Sequence, residues 1–335
     1  MKHTSTPGAR PRPPARTGLA LLAAAALIGG AACGAGPASA VPAAKVAASK
    51  GAAPASTPQS TSPAPALQKE VRERLRRLET SYDGRIGMFA LDTGTGSTIG
   101  YRSHESFPLA STFKAIASAA ILDRARRLEP GLLERRVFWT AEEEVLPSPV
   151  TEGRGGTGMT MAELCAASIS HSDNTAANLM LKELGGPAGL TRYFRSLGDP
   201  VSRLDRTEPD LNIWRPGERR DTTTPAAAGR DLNRLTTGDA LAAPDRDRLN
   251  GWLRGSTTGN ERIRAGLPKD WTVGDKTGTG STYGTANDIA IAWPPSGAPL
   301  IISVYTNRDD AGGEAENRVI AETAAIAARG LGRME

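Results

Sequence analysis

A serine followed three residues later by a lysine, Ser111-Thr112-Phe113-Lys114, heads a stretch rich in Ala and Ile with helical signals. At that spacing the two side chains share one face of a helix. A serine hydroxyl is a poor nucleophile until a neighbour accepts its proton, and the positive end of a helix favours the alkoxide that forms. With so few histidines in the chain, Lys114 is the near neighbour able to assist. Taken alone, the tetrad is better explained as a capping serine with a surface lysine. Two further clusters shift that balance. Ser172-Asp173-Asn174 stands just before a helical stretch, and Lys276-Thr277-Gly278 ends a strand-like run, with Thr279 and Gly280 after it. Together they would support attack by an activated serine in a cationic, donor-rich site.

Other chemistries find less support. Beyond residue 40 the only histidines are His104 and His171, and no His/Cys spacing fits a zinc site, so neither metal nor cofactor is expected. Cys165 lies inside the apolar stretch Met161 to Ile169 and reads as a packing residue. The formal charge of +5 misleads, because four of the 41 basic residues (Lys2, Arg10, Arg12 and Arg16) precede residue 41 and none of the 36 acidic ones does. The exported chain would carry +1, which suggests neither a nucleic-acid nor a membrane surface.

Those four cations precede an apolar run from Leu19 to Ile28, the order of an export signal and too short to span a bilayer. Ala38-Ser39-Ala40 fits a signal-peptidase site, so residues 1–40 are expected to be removed and the protein secreted. Cys33, after Ala31 and Ala32, offers a lipid anchor as a second reading, against which Gly30 stands where Leu is usual. Residues 41–66 are mostly Ala, Pro, Ser and Thr and read as a disordered linker. The remaining 67–335 is long enough for one large domain or two intimately packed subdomains.

The elements that must position the chemistry can be read coarsely. Leu67 to Tyr82 has a helical period, and Ile86 to Leu91 and Ser97 to Arg102 read as strands joined by a turn. From Ser111 to about Glu183 the signals are mainly helical. Strand patterns return at Trp271 to Lys276, Ile289 to Trp293 and Leu300 to Tyr305, and Ala315 to Ala328 closes as a helix. Strands at both ends with helices between predict an α+β fold. Both chain ends (about 67–106 and 256–335) would build an antiparallel five-stranded sheet flanked by helices, and about 107–255 would form an inserted all-α subdomain. The cleft would lie at their junction.

Read with Glu208-Pro209-Asp210-Leu211-Asn212, the three clusters resemble the four motifs of class A serine β-lactamases, within the penicillin-recognising serine enzymes. Ser148 to Glu152, Asp173 to Leu179 and Asp221 to Ala226 agree with it, and the similarity covers about 67–335. The resemblance implies hydrolysis of the β-lactam amide of penicillins and cephalosporins, hence antibiotic resistance, by an expected monomer. Ser111 would attack the carbonyl, with the N–H groups of Ser111 and Thr279 as oxyanion hole. Ser172 would relay a proton to the leaving nitrogen between Lys114 and Lys276. Asn174 would bind the acylamide side chain, and Lys276, Thr277, Gly278 and Thr279 would line the carboxylate subsite. Glu208 and Asn212 would grip the water that hydrolyses the acyl-enzyme. Whether Lys114 or Glu208 takes the serine proton is open at this point. An Arg206–Asp221 ion pair would pin the neck of the loop that carries Glu208.

The chain also departs from the family pattern. Where many members carry an arginine for the substrate carboxylate there is Thr285, and Arg262, on a helix preceding the Lys-Thr-Gly strand, is expected to reach the same place. Trp139 aligns with an aromatic gate beside the substrate, the alternative being a core residue. Ser118 replaces a cysteine that some relatives pair with the counterpart of Cys165, and neither Ala110 nor Gly280 is the cysteine of the carbapenem-hydrolysing subgroup's extra disulfide. A D,D-peptidase would share the acylating residues but lack the Glu208 and Asn212 pair; a β-lactam sensor would bind without turnover.

Overall fold

A computed structural model describes residues 65–335; the expected signal peptide, Cys33 and the linker up to residue 64 lie outside the described residues. Helix α1 (Pro65–Tyr82) starts two residues before the expected Leu67, with Pro65 in the first turn, where its missing N–H breaks no helical bond. Strands β1 (Gly84–Asp92) and β2 (Thr98–Tyr101) follow. After the helical region come β3 (Thr272–Thr279), β4 (Ala286–Trp293) and β5 (Leu300–Arg308).

The five strands form one antiparallel sheet in the order β2-β1-β5-β4-β3, so segments far apart in sequence lie side by side. β5 explains why both faces must be covered. Leu300, Ile302 and Val304 point into one apolar cluster, Ile301 and Tyr305 into another, and all are buried. On the first face pack Val71 and Leu75 of α1, with Ile320 and Ala324 of the C-terminal helix α8 (Asn317–Gly330).

The other face meets the helical part: α2 (Phe113–Arg127), α3 (Met161–Ser170), α4 (Asn174–Glu183), α5 (Pro187–Ser196), α6 (Pro225–Thr236) and α7 (Ala243–Arg254). α2 is buried along almost its whole length, in keeping with its Ala-Ile composition. α6 lies close to the sheet because Gly229 faces Phe89; an added Cβ would come within 2.5 Å of that ring. Cys165 is buried and unbridged in α3, and burial pushes its thiol up to about 12, as expected of a packing residue.

α6 also carries an acid inside the core. Asp231 is pushed up to about 9, first by burial and then by the Asp199 carboxylate, with Arg234 and Arg195 opposing and Tyr193 nearby. Its Oδ2 finds no donor when ionised, whereas a protonated Asp231 can donate to Asp199. The folded state therefore holds a proton that the unfolded chain releases near pH 4. This contribution to stability is full below that pH and is lost as pH rises towards 9. Asp231→Asn is expected to melt above the parent protein at pH 9, by about 2–4 °C for each kcal/mol relieved. The difference should narrow towards pH 5 in a melting series, and a pH-independent difference would contradict the shared proton.

Candidate active site

Ser111 sits in a 3-10 turn, Ala110–Thr112, that runs directly into α2. Ala110 adopts φ +43°, a left-handed conformation that costs an alanine about 1–2 kcal/mol and turns the chain sharply before the nucleophile. β3 can approach this turn because Gly278 has no side chain. A Cβ there would lie 3.1 Å from the Ser111 nitrogen and 3.0 Å from the Leu109 oxygen.

Lys114, in the first turn of α2, is fully buried. Its ammonium reaches Glu208 Oε1 at 3.0 Å, the Ser172 carbonyl at 2.8 Å and Asn174 Oδ1 at 2.6 Å, with Ser172 Oγ at 3.4 Å. Three short contacts use all three donors of an ammonium. Burial pushes its pKa down, and the Glu208 carboxylate opposes that shift. The hydroxyl of Ser111 donates to Glu208 Oε1 at 3.0 Å. The structure thus points the serine proton at the carboxylate rather than at the lysine.

Glu208 is buried and held from several sides. Its N–H donates to Asn178 Oδ1 at 3.0 Å, and Asn178 Nδ2 donates back to its carbonyl at 2.9 Å. Asn212 Nδ2 donates to Oε2, while Asn212 Oδ1 is buried without any donor. The loop's neck is closed by Arg206 Nε on Asp221 Oδ2 at 2.6 Å, and Asp221 Oδ1 accepts the N–H groups of Asp205 and Arg206. Asn178 went unnoticed in the sequence, although it lies inside the Asp173 to Leu179 run; nothing about a helical Asn reveals that it faces a loop 30 residues away.

Ser172 has φ +57° and presents its hydroxyl between two cations. Lys276 Nζ donates to it at 3.0 Å and to the Thr277 carbonyl at 2.7 Å, which leaves one ammonium donor for a ligand. Burial pushes the pKa of Lys276 well down, and the Lys114 ammonium adds to that shift. Asp173 serves as an anchor: its carboxylate accepts the N–H groups of Val150, Thr151 and Ala176 and the Thr151 hydroxyl. It caps α4 and ties the Ser148 to Glu152 segment to it.

Arg262 stands on a different element from the one expected. α7 ends at Arg254, and Arg262 caps a 3-10 turn, Ile263–Gly266, rather than lying on a helix. Gly255 and Gly259 interrupt the helical pattern; a side chain at 259 would strike Asp275. The buried guanidinium donates to the carbonyls of Gly278 and Asn287 at 2.8 and 2.7 Å and to Thr279 Oγ1 at 2.7 Å. That bond fills the acceptor side of the Thr279 hydroxyl and leaves its proton free. Thr277 Oγ1 pairs with Thr258 Oγ1 at 2.7 Å.

Trp139 is not on the cleft wall. It is 6% exposed within the core of the helical part, and its indole N–H donates to Glu144 at 3.2 Å. A large ring gains more from that burial than from an exposed rim. The residues beside Asn174 are instead Leu146, 65% exposed, whose carbonyl accepts Asn174 Nδ2, and Pro147, whose carbonyl accepts the Asn174 N–H.

Known proteins resemble this chain over most of its length. Residues 70–331 match the model of the family described as the Beta-lactamase enzyme family. The chain is 50% identical over 280 residues to the carbapenem-hydrolyzing β-lactamase KPC of Klebsiella oxytoca, covering 83% of this chain and 94% of that protein. It is 52% identical to β-lactamase AST-1 of Nocardia asteroides, covering 77% and 83% of the two chains. The crystal structure of a β-lactamase from Streptosporangium roseum superposes with a TM-score of 0.79 at 61% identity, covering 79% of this chain and all of that one.

Proposed function

This chain belongs to the β-lactamase enzyme family, as a serine enzyme of class A, and from that premise we propose how its own residues hydrolyse the β-lactam amide. Ser111 gives its proton to Glu208 Oε1 as it attacks the lactam carbonyl. The developing oxyanion is held by the N–H groups of Ser111 and Thr279. Ser172 passes its proton to the departing nitrogen and is reprotonated by the Lys114 ammonium, which recovers a proton from Glu208 Oε1, so the carboxylate is ionised again in the acyl-enzyme while Lys276 keeps the surroundings positive. Asn174 binds the acylamide side chain of the substrate. The substrate carboxylate takes the remaining donor of Lys276 and the hydroxyl proton of Thr279, oriented by Arg262.

The observation that carries this reading is the junction of Ser111 Oγ, Lys114 Nζ and Asn212 Nδ2 on one buried carboxylate. Once Ser111 is esterified it has no proton to give, so Glu208 Oε1 loses a donor. A water can replace it, giving one hydrogen to Glu208 and the other to the orphaned Asn212 Oδ1, with its lone pair facing the ester. Mixing the enzyme with a modest excess of penicillin tests the outcome: full consumption with regeneration of free enzyme is expected, and stoichiometric trapping would instead indicate a peptidase-like site.

Arg262→Ala should raise the KM for penicillins by about tenfold or more, the scale of a lost charge-assisted hydrogen bond. An unchanged KM in steady-state assays would remove Arg262 from the carboxylate subsite. We place the enzyme outside the cytoplasm on the strength of the export-like residues 1–40, with Cys33 as the alternative point of attachment to a membrane, and take it to act as a monomer because one chain supplies the whole site.

A further inference from the structure

We propose that Trp214, Thr282 and Tyr283 form a clasp between the Glu208 loop and the β3–β4 turn that positions Asn212 for deacylation. Thr282 Oγ1 accepts the Trp214 N–H at 3.2 Å and donates to the Trp214 carbonyl at 2.5 Å, so one hydroxyl occupies both backbone groups of a single residue, as a neighbouring strand would. Two residues earlier the Ser281 N–H donates to the Asn212 carbonyl at 3.0 Å. The Trp214 ring then meets Tyr283 edge to face, with centroids 5.6 Å apart and planes at 81°.

The surroundings show that this contact is built. Trp214 is 5% exposed, although Ile213 beside it is 54% exposed. Tyr283 holds φ +54°, a conformation unusual for an aromatic residue. Gly280 lets the turn come close, since a Cβ there would meet Thr285 at 2.8 Å and the Asn212 carbonyl at 3.3 Å. Arg206 of the neck donates to the Ile213 carbonyl at 2.9 Å. Residues 212 to 214 are thus tied to the turn on one side and to the neck on the other.

The consequence falls on one half of the reaction. Glu208 is fixed by Lys114 and Asn178, neither of which touches the clasp, so the proton transfer from Ser111 does not need it. Asn212 touches Glu208 at Oε2, not at the Oε1 that faces the Ser111 proton, and its free Oδ1 is used only by the hydrolytic water; its main chain is what the clasp holds. Trp214, Thr282 and Tyr283 are therefore positioning residues for deacylation.

The inference rests on the proposed roles of Glu208 and Asn212, and the test separates the two. Acylation and deacylation rates with a penicillin would be measured by stopped flow and by intact-protein mass spectrometry of quenched samples. Thr282→Val, which keeps the volume and removes both bonds, should slow deacylation about tenfold or more and change acylation by less than about twofold. Acyl-enzyme then accumulates, and kcat and KM fall together. Trp214→Ala should do the same, and Trp214→Phe, which retains an edge-to-face ring, should recover most of the rate. A folded Thr282→Val enzyme with unchanged deacylation, or with both steps slowed equally, overturns the clasp. Glu208→Ala run alongside identifies the other failure: if that variant accumulates no acyl-enzyme, the hydrolytic pair itself is misassigned.

Discussion

Ser111→Ala should form no covalent adduct with any β-lactam, and its turnover should fall on the order of 10⁵-fold or more, the scale on which serine hydrolases lose rate when the nucleophile is removed. The Ser111 hydroxyl is the group placed by a strained Ala110 at the head of α2, and its proton already points at a carboxylate. Lys114 and Glu208 remain paired in the variant, so the charges around the site stay balanced. The fold should persist: an alanine methyl fits the space, and only one hydrogen bond to Glu208 is lost. Intact-protein mass spectra after mixing with a penicillin would read the result directly. A variant that still gained the mass of the drug at the parent's rate would move the nucleophile elsewhere.

The sheet was largely legible in the sequence because its strands alternate or run continuously apolar between clear turns, and each expected strand lies within about three residues of the observed one. The nucleophile and its cations were legible for a different reason. Ser111 and Lys114 are local neighbours, and the motifs around Ser172 and Lys276 are short and contiguous. What stayed hidden depends on contacts across the chain. Asn178 clamps Glu208 from α4, and Thr282 reaches Trp214 over a separation of 68 residues. Arg262 was expected on a helix, which Gly255 and Gly259 prevent. Trp139 was expected at the rim, but its ring packs into the core while its indole N–H meets the half-buried Glu144. The first difference comes from glycines that stop a helical pattern, the second from a ring whose burial a matched position does not reveal.

Glu208→Ala is expected to acylate and then stop. Without the carboxylate nothing holds the hydrolytic water against the ester, and general-base catalysis of this kind is worth about 10²–10⁴-fold. Deacylation should fall towards the upper end of that range, because Asn212 also loses the Oε2 acceptor that orients its amide. Acylation should slow as well, since Ser111 loses its direct acceptor, but less severely. Removing the carboxylate also leaves Lys114 without the counter-charge that opposes its burial, so the pKa of this amine should move further down. A neutral Lys114 carries a lone pair that can take the Ser111 proton in place of Glu208. The variant should therefore still trap a penicillin as a stable adduct of the intact drug mass. Parent-like turnover would show that the deacylating base is another group. A variant that neither turned over nor acylated would place the essential role of Glu208 in the first step instead.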